Sequence, residues 1–145
     1  MTKILFLCTG NTCRSPMAKV ILEQKLKIRG DLANFEIDSA ACKYPSDPVA
    51  NMKARDTIKK MYGQDLLSGH LAKKLTEALT EKADLILVME DVMKRGLPPG
   101  KTWTLKAFAG GSGDVADPYG RSPEAYLTCA QEISGILDRA LPKIK

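Results

Sequence analysis

The sequence predicts an α/β fold, a three-layer sandwich in which a four-stranded parallel β-sheet has helices on both faces. Residues Ile4 to Leu7 and Leu85 to Met89 form unbroken apolar runs, which are typical of parallel strands covered on both sides. Helical patterns with clear start signals lie between the strands. Alternation of this kind along the chain favours a parallel sheet.

The chain length and composition predict one domain, residues 1–145. Of the 145 residues, 44% are hydrophobic and 27% are charged, which is enough to build a substantial core. No apolar stretch approaches the roughly 20 residues of a transmembrane helix. The start MTKILFLC lacks the long apolar core and the cleavage site of a signal peptide. We therefore expect a cytoplasmic protein with no membrane partner.

The charge and the cysteines argue against two further classes of protein. A net charge of +5 favours anions, but no lysine run alternates with aromatic residues, so we expect no nucleic-acid partner. The cysteines Cys8, Cys13, Cys42 and Cys129 are too few and too scattered for a secreted disulfide scaffold. Free thiols are therefore expected, with Cys42 and Cys129 in structural positions.

The first helix follows the first strand after a short loop. Ser15 and Pro16 are typical of an N-cap and a first helical turn, and Gly30 marks the helix end. Apolar residues recur on one face between these limits. The pattern predicts a helix that starts at Ser15.

The remaining strands and one further helix start are predicted from shorter signals. Phe35 to Ser39 alternates apolar and polar residues, which favours a strand at the sheet edge. Asp47, followed by Pro48, resembles a helix cap. Trp103 to Leu105 is a candidate fourth strand.

The last helix has the clearest pattern. It is predicted to start at Ser122 and Pro123, and its buried stripe consists of Tyr126, Ala130, Ile133, Leu137 and Leu141. Before it lies the longest irregular segment, roughly Ala107 to Arg121, which is rich in glycine. Long loops in compact domains tend to be functional.

The segment CTGNTCRS, residues 8 to 15, joins the first strand to the first helix. Ligands of open α/β sheets bind beyond the carboxyl ends of the strands, and Cys8 lies there. Backbone N–H groups at a helix N-terminus attract anions, and Arg14 offers a planar fork for two phosphate oxygens. Gly10 allows an unusual backbone conformation and Asn11 tolerates a left-handed one.

The same positive field favours a thiolate at Cys8, to which Ser15 can donate a hydrogen bond. A nucleophile inside an anion cradle indicates phosphoryl transfer to cysteine. A Walker A loop would need a lysine and a different glycine spacing. A zinc site would lack partners, since the chain has one histidine. The remaining alternative is a strand-to-helix turn with incidental thiols.

The motif CTGNTCRSPMA resembles the phosphate-binding signature of the low-molecular-weight protein tyrosine phosphatases, and the resemblance covers nearly the whole chain. It implies a Rossmann-like fold with a four-stranded parallel sheet, no metal and no cofactor. It also implies that Cys8 attacks phosphorus and Arg14 binds the phosphate oxygens. The other phosphate-binding residues would be Thr9, Gly10, Asn11, Thr12, Cys13 and Ser15.

The resemblance also assigns residues outside the loop. Asp117, in DPYG, would protonate the leaving group and then activate water, and Asp47 is the competing candidate. Tyr119 would form a wall of the entrance. Ser39 and His70 match positions that hold the loop asparagine, here Asn11.

The resemblance further implies a reversible disulfide between Cys13 and Cys8, which would protect the nucleophile from irreversible oxidation.

The substrate class rests on departures from the tyrosine-directed pattern. Thr12 stands where many tyrosine-directed members carry isoleucine or leucine, and a single aromatic follows Asp117 and Pro118. Both features are similar to the bacterial protein-arginine phosphatase branch, where a threonine would admit a phosphoguanidinium. We expect phosphorylated proteins as substrates, with phosphoarginine favoured over phosphotyrosine, and phosphate or a similar oxyanion as product and inhibitor. Arsenate reduction and a non-catalytic oxyanion-binding module are the remaining alternatives.

Overall fold

The computed structural model describes residues 1–145 and contains one four-stranded parallel sheet. Its strand order is β2-β1-β3-β4, so β1 lies inside the sheet and β2 lies at an edge, as the alternating pattern predicts. The strands are β1 (Thr2–Cys8), β2 (Phe35–Ala41), β3 (Leu85–Val88) and β4 (Thr102–Thr104).

Helices connect the strands and cover the sheet. They are α1 (Arg14–Arg29), α2 (Met52–Tyr62), α3 (Glu77–Lys82), α4 (Leu105–Phe108) and α5 (Pro123–Ala140), with single 3₁₀ turns at Leu32–Asn34, Asp91–Lys94 and Leu141–Lys143. The crossovers from β1 to β2 and from β2 to β3 run in opposite directions along the sheet. Right-handed crossovers therefore place α1 and α3 on opposite faces of β1, which both helices contact. The predicted layered α/β fold is confirmed.

Two predicted helix starts are wrong. Helix α1 begins at Arg14 with Cys13 in the N-cap position, so Ser15 is not the cap. Asp47 caps no helix: its carboxylate accepts a hydrogen bond from the backbone of Val49, and α2 begins five residues later with Asn51 as its cap. Asp47 is not a cap because the chain around it runs beside the loop after β1, with Ser46 and Asn51 bonded to the loop carbonyls.

Other boundaries differ by one or two residues. Strand β2 continues to Ala41, β3 ends at Val88, and β4 is shifted to start at Thr102 because Leu105 begins α4. The predicted end of α1 at Gly30 and the predicted start of α5 at Ser122 are both confirmed.

A continuous hydrophobic cluster of 35 buried residues packs on the sheet. The predicted stripe of α5 belongs to it: Tyr126, Ala130, Ile133 and Leu137 are fully buried, and Leu141 is partly buried. No helix is both long and apolar enough to pass through a bilayer.

The sheet topology places Cys8 at a crevice. Cys8 is the last residue of β1, opposite Ala41 of β2, and the neighbouring strand β3 ends one residue pair earlier. The connections on either side of β1 depart in opposite directions, which opens the space beyond its carboxyl end to a ligand.

Candidate active site

The backbone carbonyls of the loop after β1 are all engaged by residues outside the loop. Five consecutive carbonyl oxygens, from Cys8 to Thr12, each accept a hydrogen bond from a group on the segment 42–51 or from His70. Because these carbonyls are all held on the outer side of the loop, the loop is fixed and its amide N–H groups face its inner side. The carbonyls of Cys8, Thr9, Gly10, Asn11 and Thr12 accept, respectively, from Cys42 N (2.9 Å), Lys43 N (3.4 Å), Ser46 N (3.4 Å), His70 Nε2 (2.8 Å) and Asn51 N (3.0 Å).

The amide groups of this loop are left available for a ligand. None of the N–H groups from Thr9 to Arg14 donates a hydrogen bond within the protein, and the Ser15 N–H points to the Cys8 sulfur at 3.4 Å. Because these amides precede α1, the dipole of a 16-residue helix adds positive potential at the same point. The loop is therefore a cradle for an anion.

Asn11 holds the most unusual backbone conformation of the loop. Its φ is +57°, the left-handed region that the sequence indicated, and it is the one non-glycine residue with a positive φ. Its side chain is fixed on three sides: Nδ2 donates to the hydroxyls of Ser15 (2.8 Å) and Ser39 (3.0 Å), and Oδ1 accepts from Lys73 N (3.1 Å).

Gly10 serves a different purpose from the one the sequence suggested. Its backbone is not in the positive-φ region. Instead, a Cβ on Gly10 would lie 2.6 Å from the Ser46 hydroxyl oxygen, closer than any real contact allows. A larger residue at this position would displace Ser46, whose Cβ and backbone N would also be close, at 3.1 and 3.3 Å.

The thiol of Cys8 is buried and faces Ser15. Its Sγ lies 2.9 Å from the Ser15 hydroxyl oxygen. Since Asn11 Nδ2 can only donate to that oxygen, the Ser15 proton is free to point at the sulfur. A hydroxyl and a backbone N–H of the same residue, Ser15, are thus both directed at the Cys8 sulfur.

Arg14 is held rigidly beside the cradle although its side chain is 1% exposed. Its Nη1 donates to the Glu90 carboxylate (2.6 Å) and to the Val115 carbonyl (2.7 Å). Burial alone would lower the pKa of Arg14, but the Glu90 hydrogen bond and the charges of Cys8 and Asp117 outweigh it and raise that pKa. The guanidinium therefore stays charged.

The opposite edge of the Arg14 guanidinium is available for a ligand. Nη2 makes long contacts, 3.3 Å to the Thr9 hydroxyl and 3.5 Å to Asp117. Nε is the single buried side-chain nitrogen or oxygen with no hydrogen-bond partner. An orphaned buried donor is costly, and two oxygens of a phosphate on the Nε–Nη2 edge would satisfy it.

A cavity of about 240 Å³ opens over Cys8 and contains most of the predicted residues. Asp117 lines it, and its carboxylate also accepts the N–H of Tyr119 at 3.0 Å. Tyr119 and Tyr44, both largely exposed, flank the mouth. Asp47 does not line this cavity. The lining consists of Cys8, Thr9, Gly10, Thr12, Cys13, Arg14, Tyr44, Ser46, Asp117 and Tyr119.

Comparison with known proteins shows the family to which this chain belongs. The family model described as low molecular weight phosphotyrosine protein phosphatase matches residues 3–145. The chain belongs to this family. It is a phosphoprotein phosphatase, as the residues of the loop predict.

Individual relatives of this phosphatase cover almost its whole length. It is 33% identical over 150 residues to a protein-arginine-phosphatase of Geobacillus stearothermophilus, covering 99% of this chain and 96% of the relative. The crystal structure of a low molecular weight protein tyrosine phosphatase from T. tengcongensis is similar at 42% identity, with a TM-score of 0.90 and 99% of each chain covered. The YwlE arginine phosphatase, in a mutant with a phosphorylated active-site serine, matches at 31% identity and a TM-score of 0.90, covering 99% of this chain and 95% of YwlE.

Four residues of the phosphatase site had no signal in our sequence analysis. Glu90 lies two residues after the end of β3, so its place beside Arg14 follows from topology but from no motif. Tyr44 lies in the segment between β2 and α2, where no pattern pointed to the site. Ser46 and Tyr126 were missed as site residues: Ser46 had no pattern, and Tyr126 was assigned only to the core of α5.

The cysteines other than Cys8 have different environments. The sulfur of Cys13 lies 3.2 Å from the Tyr126 hydroxyl, and burial raises the pKa of the Cys13 thiol. Burial likewise raises the pKa of Cys129, to about 12. All four cysteines are free thiols, and the Cys8–Cys13 disulfide stays a prediction.

His70 anchors the loop through the backbone carbonyl of Asn11. Because the Asn11 carbonyl only accepts, Nε2 of His70 must carry the proton of their 2.8 Å hydrogen bond. Burial lowers the pKa of His70, and Lys19 and Lys73 lower it further, although the hydrogen bond to Asn11 opposes them. The folded protein therefore favours the neutral ring.

We expect His70 to make the folded protein less stable as the pH falls. In the unfolded chain the pKa of His70 is about 6.5, and in the folded protein it is lower. The stability is therefore fully present above the unfolded pKa and is lost as the pH falls through the folded pKa, because the unfolded chain binds the proton more readily. Urea unfolding of wild type and His70→Gln at pH 7, 6 and 5 measures it. The free energy of unfolding of the wild type should decline more steeply, whereas parallel pH curves would contradict the assignment.

Proposed function

We propose that this phosphatase hydrolyses phosphoarginine side chains of proteins through a phosphocysteine on Cys8. The observation that carries the substrate assignment is the position of Thr12, a hydroxyl-bearing residue that lines the cavity over Cys8 and is 3% exposed. A phosphoguanidinium carries N–H donors next to the phosphate, and a hydroxyl oxygen can accept one of them. A phosphotyrosine ring offers no such donor.

The first chemical step would transfer the phosphoryl group to sulfur. The Cys8 thiolate attacks phosphorus in line, while the free amides of Thr9 to Arg14 and the Nε–Nη2 edge of Arg14 hold the three outer oxygens. As the P–S bond forms, the bond from phosphorus to the leaving group breaks. Asp117, at the cavity wall, gives its proton to the leaving group.

The second step would release phosphate. The Asp117 carboxylate accepts a proton from water, whose oxygen attacks phosphorus and expels the Cys8 thiolate. The hydroxyl of Ser15, at 2.9 Å, stabilises the departing sulfur. Inorganic phosphate is the product, and it should inhibit by occupying the same cradle. The scheme uses side chains and backbone amides of this chain and requires neither a metal nor a cofactor.

The substrate assignment is tested with Thr12→Ile. We expect wild type to show a higher kcat/KM on a phosphoarginine substrate than on a phosphotyrosine peptide, measured in parallel with Cys8→Ser as the blank. Isoleucine removes the acceptor and adds apolar surface, so the ratio of the two values should fall by about tenfold or more. Thr76→Ile, at the start of α3, serves as control. An unchanged ratio would remove Thr12 from the specificity argument.

Phosphotyrosine is the second candidate substrate. The similar T. tengcongensis structure is that of a protein tyrosine phosphatase, and Tyr44 and Tyr119 at the cavity mouth could stack on an aromatic ring. Higher kcat/KM on phosphotyrosine would decide for this alternative and leave the roles of Cys8, Arg14 and Asp117 unchanged.

Location and organisation follow as part of the same proposal. A reducing compartment, and hence the cytoplasm, suits an enzyme that requires the Cys8 thiol. One domain spanning residues 1–145 is supported by the match over residues 3–145 and by the continuous hydrophobic cluster. Arsenate reductases that resemble this family need two further cysteines, close in sequence, to pass on the disulfide. The segment ILVMEDVMKRGLPP, which starts within β3, contains no cysteine, so arsenate reduction is disfavoured.

A further inference from the structure

Ser46 is the one residue outside the loop whose side chain forms a hydrogen bond with that of Thr12. The two hydroxyl oxygens are 3.0 Å apart, a good hydrogen-bond distance. The other neighbour of the Thr12 hydroxyl is the Cys13 sulfur at 3.7 Å, a weaker acceptor. Ser46 lines the cavity over Cys8 and also a neighbouring cavity of about 270 Å³.

The direction of this hydrogen bond decides what Thr12 offers to a substrate. A hydroxyl has one proton and two lone pairs. If the Thr12 proton points at the substrate, it meets the N–H of a guanidinium and repels it. If the proton is donated to Ser46, the lone pairs of Thr12 are left for that N–H.

We propose that Ser46 is a positioning residue for phosphoarginine, because it accepts the hydroxyl proton of Thr12 and leaves the Thr12 oxygen as an acceptor toward the substrate. This inference rests on the proposed function. It adds a residue on another segment that acts through Thr12.

The structure holds Ser46 in place for this purpose. Its backbone N–H donates to the Gly10 carbonyl at 3.4 Å, and Asn51 N–H fixes the Thr12 carbonyl at 3.0 Å, so the segment is attached to the loop on both sides. Pro45 and Pro48 restrict the chain around Ser46. Gly10 leaves room for the Ser46 hydroxyl, which would lie 2.6 Å from a Cβ at that position.

The test is a double-mutant cycle with wild type, Ser46→Ala, Thr12→Val and the double variant. Each is assayed for kcat/KM on phosphoarginine and on phosphotyrosine peptides, and thermal unfolding checks that each is folded. Valine keeps the shape of Thr12 and removes the hydroxyl. Ser112→Ala, an exposed serine without side-chain hydrogen bonds, is the matched control.

We expect Ser46→Ala to lower the phosphoarginine-to-phosphotyrosine ratio about three- to tenfold, the equivalent of one neutral hydrogen bond. In the Thr12→Val background the same change should have no further effect on the ratio. A purely structural role of Ser46 would not depend on the Thr12 hydroxyl.

Two results would overturn the inference: a ratio unchanged by Ser46→Ala, or a loss of the same size with and without the Thr12 hydroxyl. A wild type that prefers phosphotyrosine would instead contradict the proposed function itself. That outcome is seen in the wild-type assay alone, so the two failures are distinguishable.

Discussion

Cys8→Ser should eliminate turnover, with a loss in kcat of at least about 10⁴-fold on any phosphate ester, as expected when a nucleophile is removed. The proton of a serine hydroxyl is held far more tightly than that of a thiol, and no general base lies beside it: its neighbours are the Ser15 hydroxyl and N–H, which donate. The cradle should persist, because its amides and Arg14 are anchored without using the Cys8 side chain.

Two measurements together check this prediction. Hydrolysis of para-nitrophenyl phosphate reports activity, and calorimetric titration with inorganic phosphate reports the cradle. Cys42→Ser is a matched control, since Cys42 is half-buried nearby but its side chain does not line the cavity. Residual turnover near the wild-type rate would remove Cys8 as nucleophile, whereas loss of phosphate binding would show that the thiol is needed to form the loop.

Local patterns predicted the sheet well because parallel strands are buried on both faces. The apolar runs of β1 and β3 have that composition since helices cover them, and the edge position of β2 produces its alternation. Helix ends with a local cause were also predicted. Gly30 ends α1 because its φ of +94° favours glycine.

The two failed helix starts differ in kind. Ser15 and Pro16 fit a cap and first turn, but two more residues, Arg14 and Ser15, are helical. Pro16 is still tolerated because N–H groups of the first turn need no partner within the helix. Asp47 and Pro48 have the local signal of a helix start. The chain there instead runs beside the loop of Gly10 to Thr12 and donates its N–H groups to the loop carbonyls, which no local pattern reveals.

The candidate site divides in the same way. Residues 8 to 15 could be interpreted from physics alone, because strand end, loop and helix start are contiguous. Asp117, Ser39 and His70 came from the resemblance only, since their distance in sequence hides their contacts. Glu90 had neither a local pattern nor a resemblance, although it holds Arg14 at 2.6 Å.

Asp117→Asn should have the second largest effect, and the effect should depend on the leaving group. General acid catalysis contributes about 10²–10⁴-fold when a proton must be delivered in the transition state. The kcat/KM for phenyl phosphate, which releases a basic phenolate, should fall by a factor in this range. Para-nitrophenyl phosphate, whose leaving group is stable as an anion, should lose much less.

The choice of kcat/KM makes this test specific to the first step. Asp117 would also activate water in the second step, and that step is the same for both substrates because the leaving group has already departed. A change in kcat alone would mix the two roles, whereas kcat/KM reports only events up to formation of the phosphocysteine. Neutralising Asp117 also removes a carboxylate 3.5 Å from Arg14, so phosphate binding should not weaken.

Asp47→Asn is the matched control for Asp117→Asn, because both residues precede a proline and are exposed, while Asp47 lies outside the cavity over Cys8. The kcat/KM of Asp47→Asn should stay within about twofold of wild type for both substrates, as expected for a surface substitution. Equal losses on phenyl and para-nitrophenyl phosphate in Asp117→Asn would contradict proton donation by Asp117 and leave it a role in positioning Arg14. A leaving-group dependence found for Asp47→Asn instead would identify Asp47 as the acid, since only the group that delivers the proton feels the basicity of the atom that receives it.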